Sequence, residues 1–196
     1  FFPFVNQSEC SIVCTHSVRK AELALRLLNR KKVSGVLAVL DADFTRITGA
    51  RRIDSNVVCS SGHDLDLDWA TAVNLARYLN EVSDESKVRA AGGVIGIYWN
   101  ILKLLEPISC ARFLNCTGEF KFKVSNIEVG RFFCKSGKMI DLYIDELISC
   151  GNIDESDRPW ISQRINQELA AKHDLVQLTN GHDFFSALGS CLMSSL

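Results

Sequence analysis

Net charge is almost absent from this 196-residue chain: 22 Lys and Arg stand against 23 Asp and Glu, for a formal charge of −1. No bulk basic field exists to gather nucleic acid, so any such contact must come from a local patch or from a partner. Cys-x-x-Cys is missing, and Cys10 and Cys14 have no matching pair downstream, which argues against the common zinc frameworks. No apolar run reaches the ~18 residues of a membrane helix. Gly93 to Leu105 comes nearest, but Asn100 and Lys103 interrupt it. The opening Phe1-Phe2-Pro3-Phe4 has neither a charged leader nor a cleavage pattern. A signal peptide is therefore not expected, and a cytoplasmic location away from membranes is. Internal repeats and low-complexity segments are also missing.

What is present is ordinary globular chemistry, 47% hydrophobic and 23% charged, with enough length for one sizeable core. The eight cysteines fall mostly inside apolar runs. They read as small buried hydrophobes in a reducing compartment rather than as disulfide partners.

The first 80 residues alternate between strand and helix signals. Ser11 to Thr15 reads as a short strand. Ser17 to Arg30 reads as a helix, with Val18, Ala21, Leu25 and Leu28 at helical spacing and Ser17 as its N-cap. Val36 to Leu40 is a continuous apolar run, the pattern of a strand buried on both faces. Thr45 to Asp54 reads as a loop, Asn56 to Cys59 as a strand and Asp66 to Asn80 as a helix. This order predicts an α/β core with parallel strands over residues 1–82. Residues 83–196 read as a mostly helical extension packed on that core. Within it, Gly92 to Leu105 is a helix stopped by Pro107, and Glu119 to Val124 is an amphipathic strand, paired with Arg131 to Cys134. Met139 to Cys150, Asp157 to His173 and Phe184 to Leu192 are helices, with Pro159 in the first turn of the middle one.

The apolar run Val36 to Leu40 ends on Asp41-Ala42-Asp43. In open α/β sheets ligands bind beyond the carboxyl ends of strands. Two carboxylates two residues apart are easiest to keep there if a hard divalent cation neutralises them. The alternative is turn and cap chemistry, which also favours Asp at strand ends. After the next strand, Gly62-His63-Asp64-Leu65-Asp66-Leu67-Asp68 sets a His beside three carboxylates. Asp64 or Asp66 could complete a metal site, or Asp64 could cap the following helix while Asp66 and Asp68 favour its dipole. Arg46, Arg51 and Arg52 follow the Asp-x-Asp and could hold a phosphate backbone, or form a solvated loop. Lys121, Lys123, Arg131, Lys135 and Lys138 interleave with Phe120, Phe122, Phe132 and Phe133. That pattern suits single-stranded nucleic acid, and equally a hairpin that buries its Phe face. Asn180-Gly181-His182-Asp183 reads as a turn, with Asp183 capping the last helix.

The two stretches Val36 to Phe44 and Asn56 to Asp66, in this order, resemble the Toprim-like proteins grouped as domain-of-unknown-function family 4435. Leu178 to Phe185 resembles the closing segment of that family. The resemblance implies a small Toprim-like parallel sheet flanked by helices. It also implies Mg²⁺- or Mn²⁺-dependent phosphodiester chemistry in bacterial antiviral defence, with nucleic acid as substrate or ligand and an ABC-type ATPase as partner. A homo-oligomer is left open. Asp41 and Asp43 would hold the metal, assisted by Asp64 or Asp66. The family places a Glu after its first strand, where this chain has Val13-Cys14-Thr15-His16-Ser17. His16 could then act as a base, or could simply be an exposed turn residue. Without that Glu, the resemblance implies either a weakened nuclease or a catalytically inactive module that binds an ATPase or nucleic acid.

Overall fold

Ser17 opens the first helix, α1 (Val18–Arg30): its side chain accepts from the Lys20 N–H at 3.3 Å, and Ala21 and Leu25 point into the core. The computed structural model describes residues 6, 8–50, 54–122, 127, 129–131, 139–151 and 153–194. Strands β1 (Ala38–Leu40) and β2 (Val57–Cys59) pair in parallel, with Ala38 opposite Val57, Val39 opposite Val58 and Leu40 opposite Cys59. Two helical segments follow these strands: α2 (Thr45–Thr48) after β1 and α3 (Leu65–Trp69) after β2. The later helices of the described residues are α4 (Ala72–Val82), α5 (Glu85–Ala90), α6 (Gly93–Cys116), α7 (Met139–Gly151), α8 (Arg158–Ala171), α9 (Leu175–Leu178) and α10 (Gly181–Ser194). Among the described residues the fold is mixed α/β, mostly helical, with one small parallel sheet.

The chain divides into two compact units, Phe1–Asp41 with Arg52–Cys59, and Ala42–Arg51 with Ser60–Leu196. The division expected near residue 82 falls inside the second unit, between α4 and α5. In the first unit α1 lies against β1, and Asn29 donates to the Asp54 carboxylate at 3.0 Å. In the second, α6 runs through the hydrophobic core, with Ile101, Leu102, Leu105 and Ile108 buried on it. Among the described residues α6 is the one helix long and apolar enough to cross a membrane.

Several expectations are corrected. Ser11 to Thr15 is irregular rather than a strand: Ile12 and Val13 are exposed, and no described strand pairs with it. A short apolar stretch without a neighbouring edge has no ladder to join. β1 is not buried on both faces, since Val39 is 40% exposed and Val58 beside it 50%. A sheet of two strands covered by one helix leaves its other face open. The helix expected over Asp66 to Asn80 breaks at Ala70 and Thr71, because Thr71 takes an extended conformation and caps α4 by accepting from Asn74 N–H. The loop after β1 contains the short helix α2, closed by Gly49 in the left-handed region.

Pro107 does not end α6, which continues nine residues further to Cys116. An interior proline forfeits one backbone hydrogen bond and costs ~3 kcal/mol. Burial of Ile108, Cys110, Ala111 and Leu114 beyond it exceeds that, at roughly 1.5–3 kcal/mol for each large side chain. Glu119 to Phe122 is not a strand either. Phe120 is buried against Phe122 and Trp160, while Lys121 is exposed. Residues 123–126 and 132–138, which carry most of the basic and aromatic cluster, lie outside the described residues.

The cysteines are also less uniform than the sequence suggested. Cys10, Cys14 and Cys116 are exposed, Cys59 and Cys191 half-buried, and Cys110 buried, all as free thiols. Burial, with Glu106 and Glu168 nearby, pushes the Cys110 thiol up to about 12. Burial and then the Asp43 carboxylate push Cys116 upward as well. The thiolate is the reacting form, so alkylation at pH 8 should modify Cys10 and Cys14 first, Cys116 more slowly, and Cys110 only on unfolding. Peptide mass spectrometry reads the order, and early labelling of Cys110 would contradict the packing around α6.

Candidate functional site

Ala42 leaves β1 fully buried. Its N–H donates to Ser60 Oγ at 2.8 Å, and Ser60 Oγ donates in turn to the Gly62 carbonyl at 3.0 Å. Asp43 follows in the left-handed region, φ 48°, and its N–H donates to the His63 carbonyl at 2.7 Å. Asp is among the few residues that tolerate this conformation. The loop after β1 is thus stitched to the loop after β2 through its main-chain N–H groups, which meet the Ser60 hydroxyl and the His63 carbonyl. Arg46 adds to the stitch, donating from Nη2 to the Ser60 carbonyl at 2.5 Å. It braces the loop. Arg51 and Arg52 lie outside the described residues.

His63 is buried, with its ring edge-on to Phe44 at 4.6 Å between centroids. Its Nδ1 lies 3.1 Å from the Gln177 carbonyl, and its backbone N–H donates to the Val176 carbonyl at 2.8 Å. Asp64 is buried as well. One carboxylate oxygen accepts from Leu67 N–H at 2.8 Å and caps α3. The other accepts from Gly181 N–H at 2.7 Å and so holds the start of α10. Gly181 is required there, since a Cβ would come within 2.7 Å of the Leu67 nitrogen.

Asp66 is exposed in the first turn of α3. Asp68 turns back, accepting from Ser61 N–H and Gly62 N–H at 2.6 Å each. In the closing segment Asn180, not Asp183, serves as the cap: its side chain accepts from His182 N–H at 2.9 Å. Asp183 is instead buried against Arg112 of α6, with the guanidinium forked onto both carboxylate oxygens at 2.5 and 2.8 Å. Both oxygens are needed for that fork, which leaves helix capping to its neighbour.

His16 stands in the first unit, exposed and with φ 59°, immediately before the cap Ser17. Asp41 is the last residue of the same unit, directly after β1, and Asp43 belongs to the second unit. Among the described residues no three His, Cys, Asp or Glu side chains gather closely enough to hold a metal ion. Asp64 is buried, and each of its oxygens accepts one backbone N–H, so its carboxylate serves as a tie between α3 and α10. What sequence reasoning missed is the link between the two Gly-His-Asp stretches, 62–64 and 181–183. The signal was available: the tripeptide occurs twice, with the glycine of the second meeting the aspartate of the first.

No family model matches the chain, and no curated protein or solved structure matches it either.

A buried carboxylate that satisfies two backbone donors contributes about 3 kcal/mol. Asp64→Ala should therefore lower the unfolding free energy by about that much, whereas the exposed Asp66→Ala should stay within about 0.5 kcal/mol. Gly181→Ala should resemble the first. Urea denaturation followed by circular dichroism measures all three, and equal losses at Asp64 and Asp66 would remove the distinction drawn here.

Proposed function

We propose that the chain is a Toprim-like interaction module of bacterial antiviral defence that binds an ATPase partner or nucleic acid and does not cut phosphodiesters by itself. The observation that carries this reading is the commitment of Asp64. The acidic residue next to the buried His63 is itself buried and joins α3 to α10, a structural role that supports the binding-module reading. The turn where the resembled family has its Glu holds Thr15 and His16 instead, and His16 is exposed ahead of a helix cap. The near-zero charge of the chain points the same way, since a nuclease acting alone benefits from a field that gathers its substrate.

One observation favours a second reading, a Mg²⁺- or Mn²⁺-dependent nuclease. Asp41-Ala42-Asp43 directly follows a strand in parallel pairing, the position where α/β proteins place ligand-binding groups. In that reading Asp41 and Asp43 would contribute carboxylates, and further ligands would come from a partner.

The two readings separate in one assay. Single- and double-stranded DNA and RNA are incubated with the protein and either metal, with and without its ATPase partner, beside Asp41→Ala. The expected outcome is no cleavage above the Asp41→Ala background in any arm. Metal-dependent cleavage that Asp41→Ala abolishes would establish the nuclease instead.

A further inference from the structure

A cleft of about 660 Å³ opens on the second unit between the loop after β2, the α3–α4 junction, the start of α6 and α9. That size falls in the range of ligand sites. Its walls are mainly apolar, with Tyr98 and Trp99 of α6 as aromatic faces and Leu67, Val94 and Val176 behind them. At the rim Trp99 is 43% exposed and Ile95 65%. Large apolar groups left in water beside a cleft are a mark of an interaction site.

Charge decides what the cleft takes. Asp68 is the one charged residue among those lining it, and no Lys, Arg or His joins them. Gly62 lets that carboxylate sit against the backbone, since a Cβ there would lie 3.2 Å from its oxygen. The two N–H bonds that Asp68 accepts hold it in place and leave its negative charge unneutralised by any cation among the described residues. Asp174, the cap of α9, adds a second carboxylate nearby. Burial, then Asp174 and Asp68, push the Tyr98 hydroxyl up from its ordinary value. A phosphate backbone would meet these carboxylates with no basic residue to hold it, so nucleic acid does not suit the cleft. A guanidinium does suit it. Its flat, weakly hydrated face stacks on indole and phenol rings, and its edge pairs with a carboxylate.

We propose that this cleft receives an arginine side chain, flanked by apolar residues, from a partner protein, with Trp99 stacking on the guanidinium, Tyr98, whose ring stands at 83° to Trp99, packing beside it, and Asp68 pairing with it. The inference rests on the binding-module reading and names the chemistry of its partner. It concerns none of the residues varied in the cleavage assay, so either can fail without the other.

The test uses the full chain and the blocked peptide acetyl-Leu-Arg-Leu-amide, followed by NMR through the indole N–H of Trp99 and, in every variant, the backbone N–H signals of Thr71 and Ile95 in the cleft lining. A citrulline peptide, equal in shape but uncharged, is the control. The arginine peptide should bind about tenfold more tightly than the citrulline peptide. Trp99→Ala, at the exposed rim, should weaken it about fivefold without disturbing the fold, and Asp68→Asn should weaken it at least as much. Asp68→Asn also touches two backbone bonds, so Trp99→Ala carries the conclusion if that variant fails to fold. Equal binding of the two peptides, no response at Trp99, or stronger binding of a single-stranded hexanucleotide at Trp99 would each overturn the proposal.

Discussion

The buried carboxylate of Asp64 is the constraint on which the second unit turns. It caps α3 through Leu67 N–H and fixes the start of α10 through Gly181 N–H. Two segments separated by more than a hundred residues are thereby held by one side chain. Burying a carboxylate is costly unless its oxygens are satisfied, and two backbone donors satisfy them without needing a cation. A second tie on α10 is the Arg112–Asp183 fork, which anchors it to α6. Replacing either partner alone would strand a charge in a region with little water, which is why such pairs are severe to break even where they add little net stability. With α3, α6 and α10 fixed in this way, Phe184, Ala187 and Leu188 pack into the core.

These ties also position the surface that the functional readings depend on. His63 holds α9 through the carbonyls of Val176 and Gln177, and Gln177 donates back to the Ser61 carbonyl at 2.7 Å. α9 therefore stands where Val176 forms one wall of the aromatic cleft. The helix that the buried carboxylate caps presents Asp68 about one turn later. A motif that looks like chemistry is thus spent on architecture, and the architecture places a different acid on a surface where a ligand can reach it.

Much of the fold was legible in the sequence. The helical period and cap of α1 survive in the structure to within a residue, as does the parallel pairing of the strands that flank the Asp-x-Asp. What misled was local reasoning applied where distant packing decides. Pro107 carries a strong local signal to stop, yet the apolar residues beyond it gain more from burial in the core than the lost bond costs. Val36 to Leu40 has the composition of a strand covered on both faces, but composition does not say how many neighbours will cover it. For the candidate site, the two roles of Asp64 could not be separated by spacing. Both a cap and a ligand sit just before a helix, and the deciding donor, Gly181 N–H, lies far away in sequence.

The repeated Gly-His-Asp shows why residue type alone is a weak guide to chemistry. In the first copy the glycine makes room for Asp68 and Val176, the histidine packs on Phe44 and bonds a carbonyl, and the aspartate receives two N–H groups. In the second the glycine supplies one of those N–H groups, the histidine is exposed, and the aspartate pairs with Arg112. Of these two histidines and two aspartates, the kinds that build metal and acid–base sites, three are committed to structural contacts and His182 alone is exposed. Chemistry needs convergence of lone pairs on a common point, and here the lone pairs diverge toward backbone donors. Asp66, exposed in the first turn of α3, and Asp174, which caps α9, stand apart from the carboxylate bonds that hold α3 to α10, and their replacement leaves that junction intact.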